Sequence, residues 1–178
     1  MTKTVAITLA ALMLVSASAS AQRTGPDPLE LGIDAGITIG LGDNAVTSID
    51  IPVSSARVGF PIGTRTSLEP KLRLNILTGS GDTFTSYRAE LGLLYHFGSG
   101  RYPGAYHRAG IYARPFVGIA GHANGNSDSD ALLGVGVGFK QPILSRLSSR
   151  FEANFAHRFG DGGSNELGLL AGLSFFTR

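Results

Sequence analysis

The chain has 178 residues, 15 Lys and Arg against 13 Asp and Glu, and neither Cys nor Trp. Without Cys there is no disulfide framework and no lipid-modified N-terminal Cys. The basic residues are scattered singly among acids, which argues against a nucleic-acid partner despite a pI near 9.2.

The first 21 residues read as an export signal. Lys3 gives a positive start, Val5 to Val15 is an apolar run too short to span a bilayer as a helix, and Ala19-Ser20-Ala21 is a small-x-small cleavage site before Gln22. Gln22–Pro28 is expected to be a short loose segment, and residues 29–178 one domain. No other apolar run is long enough for a membrane helix.

From Leu29 the pattern changes to strict alternation. In Leu29–Leu41 every odd position is apolar and every even position is polar or glycine, the period of a strand with one wet and one greasy face. The second segment, Ile49–Phe60, switches its apolar set from odd (Ile49, Ile51, Val53) to even (Ala56, Val58, Phe60). One extra residue near Ser54-Ser55, beside Pro52, accounts for the switch as a β-bulge. Leu68–Leu77 sets Leu68, Pro70, Leu72, Leu74 and Ile76 against Glu69, Lys71, Arg73 and Asn75. Tyr87–Phe97 sets Tyr87, Ala89, Leu91, Leu93, Tyr95 and Phe97 against Arg88, Glu90, Gly92, Leu94 and His96.

Four more segments follow: Ile111–Gly121, Leu133–Lys140, Arg150–Phe159 and Glu166–Phe176, with Arg114, Arg150, Glu152, Arg158 and Glu166 on their polar faces. Turn chemistry separates them, at Gly42-Asp43-Asn44, Pro61-Ile62-Gly63, Gly79 to Asp82, Asn124-Gly125-Asn126 and Gly160 to Gly163. The stretch His122–Asp130 reads as the longest loop at its end of the molecule. Eight strands in hairpin order predict an all-β fold, an eight-stranded antiparallel up-and-down barrel whose closure removes the sheet edges.

The greasy face is expected to look outward, into lipid. The polar face carries glycine and charges of both signs, often two apart (Glu69/Lys71, Arg88/Glu90, Arg150/Glu152), which suits a narrow lumen with paired charges. Phe60, Tyr95, Phe97, Phe139, Phe151 and Phe175 all fall in the apolar set at one end of the strands, as an interfacial girdle does. Phe84, Tyr87 and Phe159 mark the other end more thinly.

The stretches "LEPKLRLNI", "ELGLLYHFG", "RPFVGIAG", "GVGVGFK" and "LGLLAGLSFF" resemble those of the small eight-stranded outer-membrane barrels of the OmpA/OmpX type. The resemblance implies a cell outer-membrane location, contact with the bilayer and lipopolysaccharide, dependence on the barrel assembly machinery, and a monomer. In that family the last strand usually ends on an aromatic residue; here Phe175 and Phe176 are followed by Thr177 and Arg178.

Little in the sequence carries chemistry. Gly134, Gly136 and Gly138 form a lumenal stripe with no following helix, so no nucleotide loop. Asp128 and Asp130 lack the Gly and terminal Glu of a calcium loop. His96, His107, His122 and His157 are dispersed, so no metal and no cofactor are expected. A lipid A deacylase-like enzyme is the alternative reading, through His157, Ser164 and Asn165. It is disfavoured because His157 and Ser164 are seven positions apart, where the family has a His-x-Ser-Asn spacing. A small porin-like channel is the second alternative, disfavoured because the charged side chains should fill so narrow a lumen. The expectation is a non-enzymatic barrel with a plugged, charged lumen, in an envelope-structural or surface-interaction role.

Overall fold

A computed structural model describes residues 28–41, 47–79, 82–97, 109–124, 126–160 and 163–177. The export signal, most of Gln22–Pro28, His107 and the turn residues Gly42, Asp43, Asn44, Gly125, Asp161 and Gly162 lie outside the described residues.

All eight predicted strands form, in the order β1 (Glu30–Leu41), β2 (Thr47–Pro61), β3 (Thr66–Gly79), β4 (Asp82–His96), β5 (Gly110–Asn124), β6 (Asn126–Leu144), β7 (Leu147–Phe159) and β8 (Ser164–Phe176). Each pairs antiparallel with its sequence neighbours, and β8 pairs with β1 to close the barrel. The closing ladder runs unbroken from Glu30↔Phe176 to Leu41↔Asn165. Leu29 and Thr177 extend it. The Thr177 amide donates to the Leu29 carbonyl at 3.0 Å, and the Leu29 amide donates to Thr177 Oγ1 at 3.0 Å.

Burial is inverted relative to a soluble protein. Glu30, Glu69, Arg114, Lys140 and Arg150 are almost wholly inaccessible, whereas Leu31, Ile33, Leu72, Leu93, Val117, Leu133, Val137, Phe151 and Leu169 lie on the outside. The alternation read from the sequence is therefore correct in phase, and its apolar side faces out.

Two expectations are corrected. The break in β2 is larger than one residue. Asp34 pairs with Ser55 and Gly36 with Asp50, so Ala35 alone stands opposite Ile51, Pro52, Val53 and Ser54. Any odd excess reverses the outward set, and the reversal is present: Ile49 and Ala56 are both exposed while Ser55 and Arg57 are buried. Second, His122–Asp130 is not a loop. β5 and β6 continue through it, with His122↔Asp128, Ala123↔Ser127 and Asn124↔Asn126 paired. The polar, turn-like composition hid a hairpin whose ladder is satisfied by β5 itself.

Glycines on the inner face let bulky side chains reach the axis. A Cβ at Gly138 would collide with the Tyr112 hydroxyl and the Phe151 carbonyl. Gly138→Val is expected to cost about 1–3 kcal/mol through overpacking, read as a lower urea midpoint of the protein folded in lipid vesicles. An unchanged midpoint would mean that the lumen is looser than described.

Candidate functional site in the barrel lumen

Residues of alternating parity on eight converging strands leave their side chains nowhere to go but the axis. Near the strand termini, Arg57 on β2 donates to Glu30 at 2.7 Å and to Ser174 Oγ at 2.8 Å. Its Nε lies 3.2 Å from both Asp34 oxygens. Lys140 on β6 crosses the lumen to Glu30, with Nζ 2.7 and 2.6 Å from its two oxygens.

The centre is built on Tyr112. Its hydroxyl donates to Glu152 at 2.8 Å and accepts from Arg150 Nε at 2.6 Å. Arg150 also reaches Glu69 at 2.5 and 3.0 Å and Glu152 at 2.5 Å. Arg114 forks onto Glu152, with Nη2 at 2.8 Å, and reaches Glu90 at 2.9 Å. Arg114 lies 4.4 Å above the Phe116 ring, and Arg150 4.9 Å from the ring of Tyr112. Towards the opposite end, Arg88 bridges Glu90 at 2.6 Å and Glu166, and Arg158 meets Glu166 at 3.2 Å.

These pairs join into one network from Lys140 to Arg158. The cations are Lys140, Arg57, Lys71, Arg150, Arg114, Arg88 and Arg158; the carboxylates are Glu30, Asp34, Glu69, Glu152, Glu90 and Glu166. Paired charges tolerate this burial because the carboxylates accept charge-assisted hydrogen bonds. Beside the network, Phe116, Ala120, Leu132 and Ala156 pack together inside the barrel.

The inward charges expected from the sequence are all drawn into the lumen. Two of the three acid–base neighbours bond directly, Arg88 to Glu90 and Arg150 to Glu152. Glu69 and Lys71 turn instead to Arg150 and, at 3.7 Å, to Asp34. Lys140 and the role of Tyr112 were missed. Lys140 follows a glycine stripe and precedes Gln141-Pro142, so it read as a strand end. Tyr112 sits at the hub only because of which strands face each other across the lumen.

The residues of the enzymatic alternative separate. His157 pairs with Asn165, and His157 Nδ1 lies 2.9 Å from Asn165 Oδ1. Ser164 stands opposite Arg158, in the register that faces the lumen, so His157 and Ser164 point to opposite sides of the sheet. Among the described residues no cluster of His, Asp and Glu could hold a metal ion.

The sequence matches no protein-family model and no curated protein. Its fold is that of small eight-stranded outer-membrane barrels. It is similar to Neisserial surface protein A (11% identity, TM-score 0.57, covering 83% of this chain and 96% of that one). It is also similar to the attachment invasion locus protein Ail of Yersinia pestis (10% identity, TM-score 0.51, 85% and 99%). The outer membrane protein AlkL is a third likeness (12% identity, TM-score 0.50, 89% and 94%). At these identities the likeness is one of fold.

Proposed function

We propose that the protein is a non-enzymatic barrel of a cell outer membrane, closed to diffusion, with an envelope-structural or surface-interaction role. One observation carries this reading: an apolar exterior around an interior of paired charges among the described residues, an arrangement that lipid on the outside stabilises.

The aromatic positions support the depth. Tyr95 and Tyr87 on β4 are eight residues apart, which at ~3.4 Å per residue and a tilt of about 40° separates them by about 21 Å along the axis, close to the ~25 Å apolar band of such barrels. Phe139 and Phe151 stack at 5.0 Å, and Tyr95 and Phe97 meet edge to face at 5.3 Å, on the rim that carries the strand termini. On this reading the export signal is removed after Ala21, the termini face the periplasm, and the chain is a monomer inserted by the barrel assembly machinery beside lipopolysaccharide. The similar proteins are an outer membrane protein, a surface protein and an attachment invasion locus protein, and this agrees with the surface role.

Membrane fractionation with planar-bilayer recording tests the proposal. The folded protein is expected in the outer-membrane fraction, with mobility that shifts on boiling, and without stable large conductance steps at low voltage. Recovery as a soluble protein would overturn the location; large stable steps would overturn the closed lumen. Lipid A from expressing cells is expected to keep all its acyl chains, because Ser164 lies on the opposite face of the sheet from His157. A chain lost with the native protein and retained with His157→Ala would favour the enzyme.

A further inference from the structure

We propose that His157 and Asn165 form a docking site on the outside of the barrel for the amide-linked hydroxyacyl chains of an outer-leaflet glycolipid. The outward set of β7 includes Phe151, Phe155, His157 and Phe159, and that of β8 begins with Asn165 and Leu167. His157 and Asn165 stand directly opposite each other in the β7–β8 ladder. Leu133 and Leu41 flank them on the neighbouring strands, and Phe155 and Leu167 lie beneath, all exposed. A polar pair thus interrupts an apolar wall. Phe151 and Phe159 mark the two rims on β7. His157 is two residues short of Phe159, which at ~3.4 Å per residue and a tilt of about 40° places it about 5 Å on the membrane side of that ring. At that level lipid offers acyl chains and the linkages that join them to the headgroup. The assignment rests on a lipid-facing exterior with the termini in the periplasm.

The two side chains are preset for such a linkage. His157 Nδ1 lies 2.9 Å from Asn165 Oδ1. An amide oxygen only accepts, so Nδ1 carries the proton and Nε2 of the neutral ring is an acceptor. The Phe159 ring packs edge-on against the imidazole, with centroids 4.6 Å apart. Above, Gly163 leaves Nε2 uncovered; a Cβ there would stand 3.7 Å from it. Among the described residues no protein group bonds Nε2 or the Asn165 amide nitrogen. The pair therefore offers an acceptor and donors side by side, and apolar chains satisfy none of them. The ester carbonyls of a phospholipid answer only the donors. An amide-linked hydroxyacyl chain, of the kind that lipopolysaccharide carries, brings a carbonyl for Asn165 and an N–H or hydroxyl for Nε2. Ser164 lies on the other face of the sheet, so the lipid is held and not cleaved.

Native mass spectrometry of the folded protein, released from lipid nanodiscs, tests the site. The nanodiscs hold dimyristoyl phosphatidylcholine with equal minor fractions of lipopolysaccharide and phosphatidylglycerol, an anionic lipid whose linkages are all esters. The protein is expected to retain lipopolysaccharide over phosphatidylglycerol by about tenfold. His157→Phe and Asn165→Leu should each cut that preference about threefold, the worth of one hydrogen bond. Adding lipopolysaccharide should also move the nitrogen NMR resonance of His157 Nε2 upfield, as accepting a hydrogen bond does. In phosphatidylcholine alone both variants should unfold at an equal or higher urea concentration, since the pair serves the lipid and not the fold. Equal retention of the two lipids, an unchanged preference in both variants, or an Nε2 resonance that stays in place overturns the proposal. Lower stability of both variants makes the pair structural and overturns it too. Boiling-dependent mobility in the same nanodiscs tests the membrane barrel separately from the site.

Discussion

Arg150→Met is expected to lower the unfolding free energy by about 3–5 kcal/mol, the cost of removing one partner from a buried ion pair. Arg150 is nearly inaccessible and serves Glu69, Glu152 and the Tyr112 hydroxyl together. Without it, Glu69 keeps only the more distant Arg57 at 3.5 Å and Arg114 at 3.9 Å. Methionine fills much of the volume, so the loss reports charge and hydrogen bonding more than a cavity. Adding Glu69→Gln should recover at least half of it, because the uncompensated carboxylate is then gone. Urea titration in vesicles at matched slope measures both. A loss below about 1 kcal/mol for Arg150→Met, the range of exposed ion pairs, would mean that water reaches the lumen.

The strands were legible because lipid and a filled lumen are as different from each other as core and water are. Either contrast writes a period of two along the chain. Leu169 and Leu170 illustrate what the period adds beyond composition: the residues are identical, yet parity puts one outside and the other within. Parity also exposed the irregularity of β2, but it registers only whether the excess is odd, so three extra residues looked like one. The end of β5 and start of β6 were misread for a different reason. Asn124, Asn126 and Asp128 are turn formers by local preference, and ladder pairing overrode that preference. The network was legible in membership but not in wiring. Sequence parity says that Glu69 and Arg150 point inward. Their meeting at 2.5 Å depends on barrel stagger, which links β3 to β7 across the lumen and leaves no local trace in either strand. The separation of His157 from Ser164 follows from the β7–β8 register, which sets Asn165 rather than Ser164 opposite His157, and not from the count of residues between them.

Leu169→Arg and Leu170→Arg should have different causes of damage, and this difference tests the direction of the greasy face. Leu169 is 60% exposed and Leu170 is 7% exposed, side by side near the middle of β8. Arginine at 169 places a cation against lipid and should cost about 2–4 kcal/mol, falling as the same substitution is moved towards either rim, to Leu167 or Phe175. Arginine at 170 faces Glu152 across the β7–β8 ladder and the Gly36 backbone beside it, so its cost comes from crowding and should not depend on bilayer thickness. Stability alone does not separate lipid from an apolar protein core at 169, since both reject a charge. Collision does. A nitroxide on Leu169→Cys in bilayers should be relaxed by oxygen, which concentrates in lipid, and not by a water-soluble nickel chelate; the label on Leu170→Cys should be reached poorly by oxygen. A label at 169 shielded from both reagents would place that face against protein. The outward leucines of β8 would then belong to an interface with another chain, and the lipid-facing assignment would fail at that strand.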